Sequence, residues 1–149
     1  MVARKPLFIN AGEIEELSSS DTLDADVTDL DEISMTNAEV GAITIGQCVY
    51  VSSASNVKKA KADASATSIP IGFVNQASIA ASASGSIIVG GVLTTSGLTA
   101  GSVYYLSEST AGAITATAPT GNSEYVVELG IALSTTELWI DIKKRIKLQ

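Results

Sequence analysis

The chain has no histidine among its 149 residues and only one cysteine, Cys48. Without histidine, the commonest general base and the commonest metal ligand are both missing. Nucleophilic triads of the usual kind therefore have no base. One cysteine excludes an internal disulfide and a cysteine-cluster metal site. Stability has to come from packing, backbone pairing or association. That cysteine usage fits a reducing place of synthesis. Aromatic residues make up 5% of the chain, too few for an aromatic-rich binding surface. No GxGxxG or P-loop pattern occurs. No apolar run approaches the length of a membrane span. Leu7–Ile9, behind the basic start, is too short for the core of a signal peptide. The expectation is a soluble chain made in the cytoplasm, with no cofactor and no membrane partner.

Small and apolar residues take up what is left. Ala, Ser and Thr number 20, 19 and 14, and hydrophobic residues make up 46%. This is a globular composition, and its length suits one domain. Charge is unevenly placed. Residues 1–40 carry a net −8, residues 41–142 a net −3, and residues 143–149 four bases with no acid. An acidic chain repels phosphate, so nucleic acid is not an expected partner. The basic tail, Lys143–Lys147, reads as a solvated strand end or a local partner for acidic residues.

The chain divides at about residue 40. Residues 1–40 read as an N-terminal arm and acidic segment. Pro6 opens an extended arm or small hairpin, with Leu7-Phe8-Ile9 as an apolar run and Asn10-Ala11-Gly12 as a turn signal. The acidic stretch that follows reads as a loop, with one helical turn or a short strand at Glu32–Met35. Residues 41–149 read as a β-domain. Short β-runs occur at Cys48–Val51, Ile69–Val74, Ser86–Val89, Val92–Thr95, Val103–Ser107, Ala113–Ala118 and Tyr125–Ala132. Strands at this spacing, punctuated by Gly and Ser, point to an all-β sandwich or barrel. Pro70 puts its run at an edge or a strand start. A final strand is expected from Glu137 to about Leu148, with Leu138, Ile140, Ile142, Ile146 and Leu148 on one face.

A weak internal repeat appears at an offset of 55 residues. Gly46…Val49-Tyr50…Ser52 matches Gly101…Tyr104-Tyr105…Ser107. Ile71-Gly72-Phe73 and Leu129-Gly130-Ile131 follow in the same order, and then Ile87–Val89 and Leu138–Ile142. The pattern suggests two related β-units, about 42–95 and 97–142, packed into one compact body.

Candidate chemistry is sparse. Cys48, inside a β-run, reads as a small buried core residue. Asp24 to Glu32 invites a calcium reading, but Asp29 stands where an EF-hand loop needs glycine and Met35 where it needs its bidentate glutamate. A solvated acidic loop or docking surface is favoured. A Ser–Lys dyad or a carboxylate pair for a small hydrolase has no motif behind it. Trp139 and four tyrosines are the only aromatics for a glycan site, and the strand parity of most suggests packing. A binding-module role would require an exposed site, for instance at Trp139.

Two stretches resemble proteins of tailed-bacteriophage virions. The opening, Lys5-Pro6-Leu7-Phe8-Ile9-Asn10, then Gly12, Ile14-Glu15-Glu16-Leu17 and Asp21-Thr22-Leu23, resembles the N-terminal segment of phage head-decoration, head-fibre and tail-fibre proteins. Residues 42–142, through Gly46, Val49-Tyr50, Ile71-Gly72, Gly101…Tyr105, Leu129-Gly130-Ile131 and Leu138–Ile142, are similar to small β-rich capsid decoration (cement) proteins. The resemblance implies a small β-sandwich or barrel of β-tulip-like form, built of two related units behind an extended arm. It implies a non-enzymatic virion protein on the outer capsid surface. That protein bridges subunits of the major capsid protein and associates with itself as a homotrimer. Lys5, Pro6, Leu7, Phe8, Ile9, Ile14 and Leu17 are the expected capsid or inter-subunit contacts. An apolar arm of this kind suits strand addition to a partner's sheet, or is the first strand of the domain itself. A tail-fibre, head-fibre or baseplate component is the alternative reading, and a small carboxylate hydrolase a third.

Overall fold

The structure, a computed structural model, describes residues 7–10, 13–16 and 31–149. The chain forms two compact units, Met1–Leu30 and Asp31–Gln149. In the first, β1 (Leu7–Asn10) pairs antiparallel with β2 (Glu13–Glu16), Ile9 opposite Ile14 and Asn10 opposite Glu13. The described part of the arm is thus a hairpin, and β1 takes its partner from within the arm rather than from the β-body.

The second unit is all-β, with no helix among the described residues. Its strands are β3 (Glu32–Asn37), β4 (Ile43–Thr44), β5 (Cys48–Ser53), β6 (Asn56–Lys59), β7 (Pro70–Val74), β8 (Ser78–Ile79), β9 (Ser84–Ile88), β10 (Val92–Thr94), β11 (Val103–Leu106), β12 (Ile114–Thr115), β13 (Tyr125–Val126), β14 (Glu128–Ala132), β15 (Glu137–Ile140) and β16 (Ile146–Lys147). The short strand expected at Glu32–Met35 is longer and belongs to the β-body, although its residues fall within the expected acidic segment.

β3, β6, β5, β7 and β9 close into a barrel. Closure comes from β3, which pairs antiparallel with β9 and parallel with β6. Inside the barrel, Ile43, Val49, Val57, Val74, Ile79 and Ile87 are buried together, with Met35 and Ile71 packed on them. Alternation then turns the neighbouring residues Cys48, Phe73 and Ile88 outward. They are buried all the same, because a second sheet covers them.

That second sheet has the order β10-β15-β14-β11-β12. Its pairings repeat those of the barrel strand for strand. β5 lies between β6 and β7 as β11 lies between β12 and β14. β9 lies between β7 and β3 as β15 lies between β14 and β10. Even the irregularity recurs. Val49 faces Gly72 and Tyr50 faces Pro70, skipping Ile71. Tyr104 faces Gly130 and Tyr105 faces Glu128, skipping Leu129. Gly46 and Gly101 precede the two matching strands with φ of 76° and 78°. The difference is closure: β3 reaches β6, whereas β10 and β12 are opposite edges of an open sheet. The inner face of this sheet, with Leu93, Tyr104, Ala132 and Leu138, packs over Cys48, Phe73 and Ile88 in one continuous core.

One polar residue sits at the barrel seam. Asn37 is fully buried, and its Nδ2 donates to the carbonyls of Gly41 (2.9 Å) and Ile79 (2.8 Å). Its Oδ1 accepts from the Glu39 amide at 2.7 Å. A buried amide satisfied this fully ties the end of β3 to the loop before β4 and to β8. Asn37→Ala removes all three bonds, of which the one to the Ile79 carbonyl is buried. We expect a loss of about 2 kcal/mol, read as a lower urea midpoint at unchanged slope.

The C-terminal run departs from its expected form. The strand ends at Ile140; Asp141 and Lys143 still donate backbone bonds to Leu129 and Glu128, and Ile146–Lys147 then pairs with Tyr125–Val126. The run expected at Tyr125–Ala132 is likewise split between two sheets. Ile146 is exposed rather than sharing the face of Leu138 and Ile140. Arg145 anchors this departing run. Its guanidinium lies 5.0 Å from the centre of the Tyr125 ring and donates to the Ser65 carbonyl and, at 3.0 Å, to Ser68 Oγ. Lys143 pairs with Asp141. The basic tail is therefore partly engaged with its own β-body.

Candidate functional site

Of the expected contact residues, Leu7, Phe8 and Ile9 lie on β1 and Ile14 lies on β2. Lys5, Pro6 and Leu17 lie outside the described residues. The hairpin sets Leu7 opposite Glu16, Phe8 opposite Glu15 and Ile9 opposite Ile14. The apolar run is thus paired strand-to-strand with the acidic-apolar run behind it. A hairpin offers a partner sheet the outer edge of either strand.

The β-body adds a surface that sequence reasoning missed. The outer face of the open sheet carries a cross-strand row of apolar side chains. Val92 stands opposite Trp139, Trp139 opposite Ile131, and Ile131 opposite Val103. Val92, Ile131 and Trp139 are 41%, 43% and 54% exposed. Leu133, beyond the end of β14, is exposed as well. Cross-strand neighbours on one face touch along the row, so these side chains form a continuous patch rather than scattered residues. Glu137 and Asp141 flank Trp139 along its strand, and both are exposed. On the final strand Trp139 alternates with the Leu138 face and shares its own face with Asp141 and Lys143, which hid the patch. Superposing the two strand sets on Gly72 and Gly130 would have found it. The matching positions Cys48, Phe73 and Ile88 are apolar too.

Other groupings offer less. A hollow of about 300 Å³ is lined by Ile69, Pro70, Val127 and Ile142, with Lys143 and Lys144 at its rim. A second, of about 370 Å³, is polar and includes Glu108 and Glu124. Two carboxylates in one hollow are what a hydrolase reading asks for. Here Glu124 Oε2 accepts the Gly121 amide at 2.7 Å and so holds a turn. Among the described residues, no group of three or more His, Cys, Asp or Glu is placed to hold a metal ion. Cys48 is fully buried, and burial pushes its thiol pKa far up, so the thiolate needed for nucleophilic chemistry is suppressed. Asp63 is held below the usual carboxylate range, chiefly by its hydrogen bond to Lys61, with Thr67 adding a second. Among the described residues Phe73, Tyr104 and Tyr125 are buried aromatics, and Tyr50 packs against the same core. No helix among the described residues is long and apolar enough to cross a membrane.

Comparison with protein-family models, with curated proteins and with solved structures finds no match to this chain. Function therefore has to be argued from the arrangement itself. Among the described residues it is a double β-body that bears an exposed apolar row, and a hairpin that forms a unit of its own.

Proposed function

We propose that the chain is a structural protein of a tailed-bacteriophage virion. In this reading it is a decoration or cement protein that binds the outer surface of the expanded head and bridges major capsid subunits. It works there as a homotrimer, after synthesis in the host cytoplasm. The observation that supports this most is the separate N-terminal unit, in which Leu7–Asn10 and Glu13–Glu16 pair only with each other among the described residues. A hairpin that forms a compact unit of its own is suited to docking on another protein's sheet. The phage assignment rests on the resemblance of the opening residues and of residues 42–142.

The physics of such a role is mass action over a lattice. A protein that binds the expanded shell and not its precursor stabilises the expanded form by its differential affinity. At a free concentration of about 100 times Kd, each occupied site contributes about 2.7 kcal/mol. Repeated over many sites, modest contacts hold a shell together without any one being strong.

Co-sedimentation with expanded shells that lack the protein tests this. The expected result is saturable binding by the full chain, weakened at least about 100-fold when residues 1–20 are removed. That loss corresponds to about 2.7 kcal/mol. Undiminished binding by the shortened chain would keep the role and move the anchor to the β-body. No binding to any form of the shell would overturn the decoration role and leave a tail-fibre, head-fibre or baseplate component.

A further inference from the structure

We propose that the row Val103–Ile131–Trp139–Val92, extended by Leu133, is the surface through which two copies of this chain meet. The inference deepens the self-association part of the reading above and names its contact.

The argument starts from the two strand sets. Their matching pairings make Cys48, Phe73 and Ile88 the counterparts of Val103, Ile131 and Trp139. Cys48 and Phe73 are fully buried and Ile88 is 7% exposed. What buries them is a β-sheet face from this same chain, bearing Leu93, Tyr104 and Leu138. The counterpart row has the same apolar character and the same strand geometry; Val103 is half-buried at its end, and Ile131 and Trp139 stay exposed among the described residues. One repeat thus shows what this kind of face accepts, namely another face of the same β-architecture. The inner face of a second copy is buried in its own core, so what that copy brings is this same exposed row, an apolar β-sheet face that packs against its like.

Area supports the same occupant. Four large side chains at roughly half exposure make a patch of a few hundred Å², the size that marks interaction sites on monomers. A stable interface takes about 800 Å² from each partner. The row therefore serves as the apolar centre of an interface, with Thr94, Glu137 and Asp141 around it as rim. Asp141 is paired with Lys143, but Glu137 and a chain charge of −7 set copies against each other at low ionic strength. Salt screens that repulsion, so association through this face tightens as salt rises. A partner with a basic rim would show the opposite dependence.

Trp139 is the chain's only tryptophan, so its fluorescence reports on this row alone. The experiment is sedimentation velocity of the full chain over a wide concentration range, with tryptophan emission and acrylamide quenching followed in parallel. We expect a dimer or trimer whose formation shifts Trp139 emission to the blue, protects it from acrylamide and is favoured by added salt. Trp139→Glu and Ile131→Asp, both at exposed positions, should each weaken association at least about 10-fold with an unchanged far-UV circular dichroism spectrum. A chain that stays monomeric at all concentrations, with Trp139 freely quenched, overturns the proposal. So does an assembly in which Trp139 stays quenchable and Ile131→Asp changes nothing. The measurement is made on the free chain, so its failure is separate from a failure to bind shells.

Discussion

Gly130→Ala should cost the chain about 3 kcal/mol or more and lower its melting temperature by about 6–12 °C. A Cβ at Gly130 would stand 1.9 Å from the Trp139 carbonyl oxygen and 3.0 Å from its carbon. Those are backbone atoms of the next strand, so no change of rotamer relieves the clash. β14 and β15 must part, and with them the ladder that sets Ile131 beside Trp139. Gly72 is the counterpart in the barrel, where a Cβ would come within 2.2 Å of the Ile88 carbonyl oxygen. Gly72→Ala should therefore fall in the same direction. Gly41 is the control, since a Cβ there would meet no atom within 4 Å and its φ is ordinary. Gly41→Ala should move stability by less than about 0.5 kcal/mol. Thermal unfolding followed by circular dichroism separates the three. A Gly130→Ala chain melting within about 2 °C of its parent would mean that the strands are not held at this spacing.

Phe73→Ala should cost about 3–5 kcal/mol, because it empties a fully buried aromatic site between the barrel and the open sheet. Its neighbours across the strands, Cys48 and Ile88, are held by the same packing, so the space cannot simply close. Phe73→Leu keeps most of the volume and should cost less than about 2 kcal/mol. The shape of the transition is as informative as its midpoint. If the two strand sets share one core, calorimetry of Phe73→Ala gives a single transition moved down in temperature. Two separate transitions would show that barrel and sheet unfold on their own.

Much of the fold was legible because the β-runs carry their own punctuation. Cys48–Val51, Pro70–Val74 and Val103–Leu106 are β-branched or aromatic stretches between Gly, Ser and Asn, and all three are strands. β6 was missed because Asn56-Val57-Lys58-Lys59 is polar, and only Val57 points into the core. β4 and β8 are two residues each, too short for any period to show. The C-terminal alternation was over-extended for another reason. Local pattern cannot anticipate Arg145 folding back onto Tyr125 and the loop at Ser65. The exposed row was hidden by the same limit. Alternation sets Leu138 and Trp139 on opposite faces, but only the order of the strands brings Val92 and Ile131 beside Trp139. Pairing order is a non-local property, so a single strand's sequence does not contain it.

The burial of Cys48, Phe73 and Ile88 also has a consequence during synthesis. All the partners of the barrel strands have been made once Ile88 has been added, but the sheet that covers this flank is complete only at Ile140. At about 5–20 residues per second, that interval lasts roughly 3–10 s on the ribosome. Throughout it, a nascent chain carries an uncovered apolar flank in a crowded cell. Any stall between Gly91 and Leu138 leaves a half-made product with that flank bare, the form most prone to stick to its neighbours and to occupy chaperones.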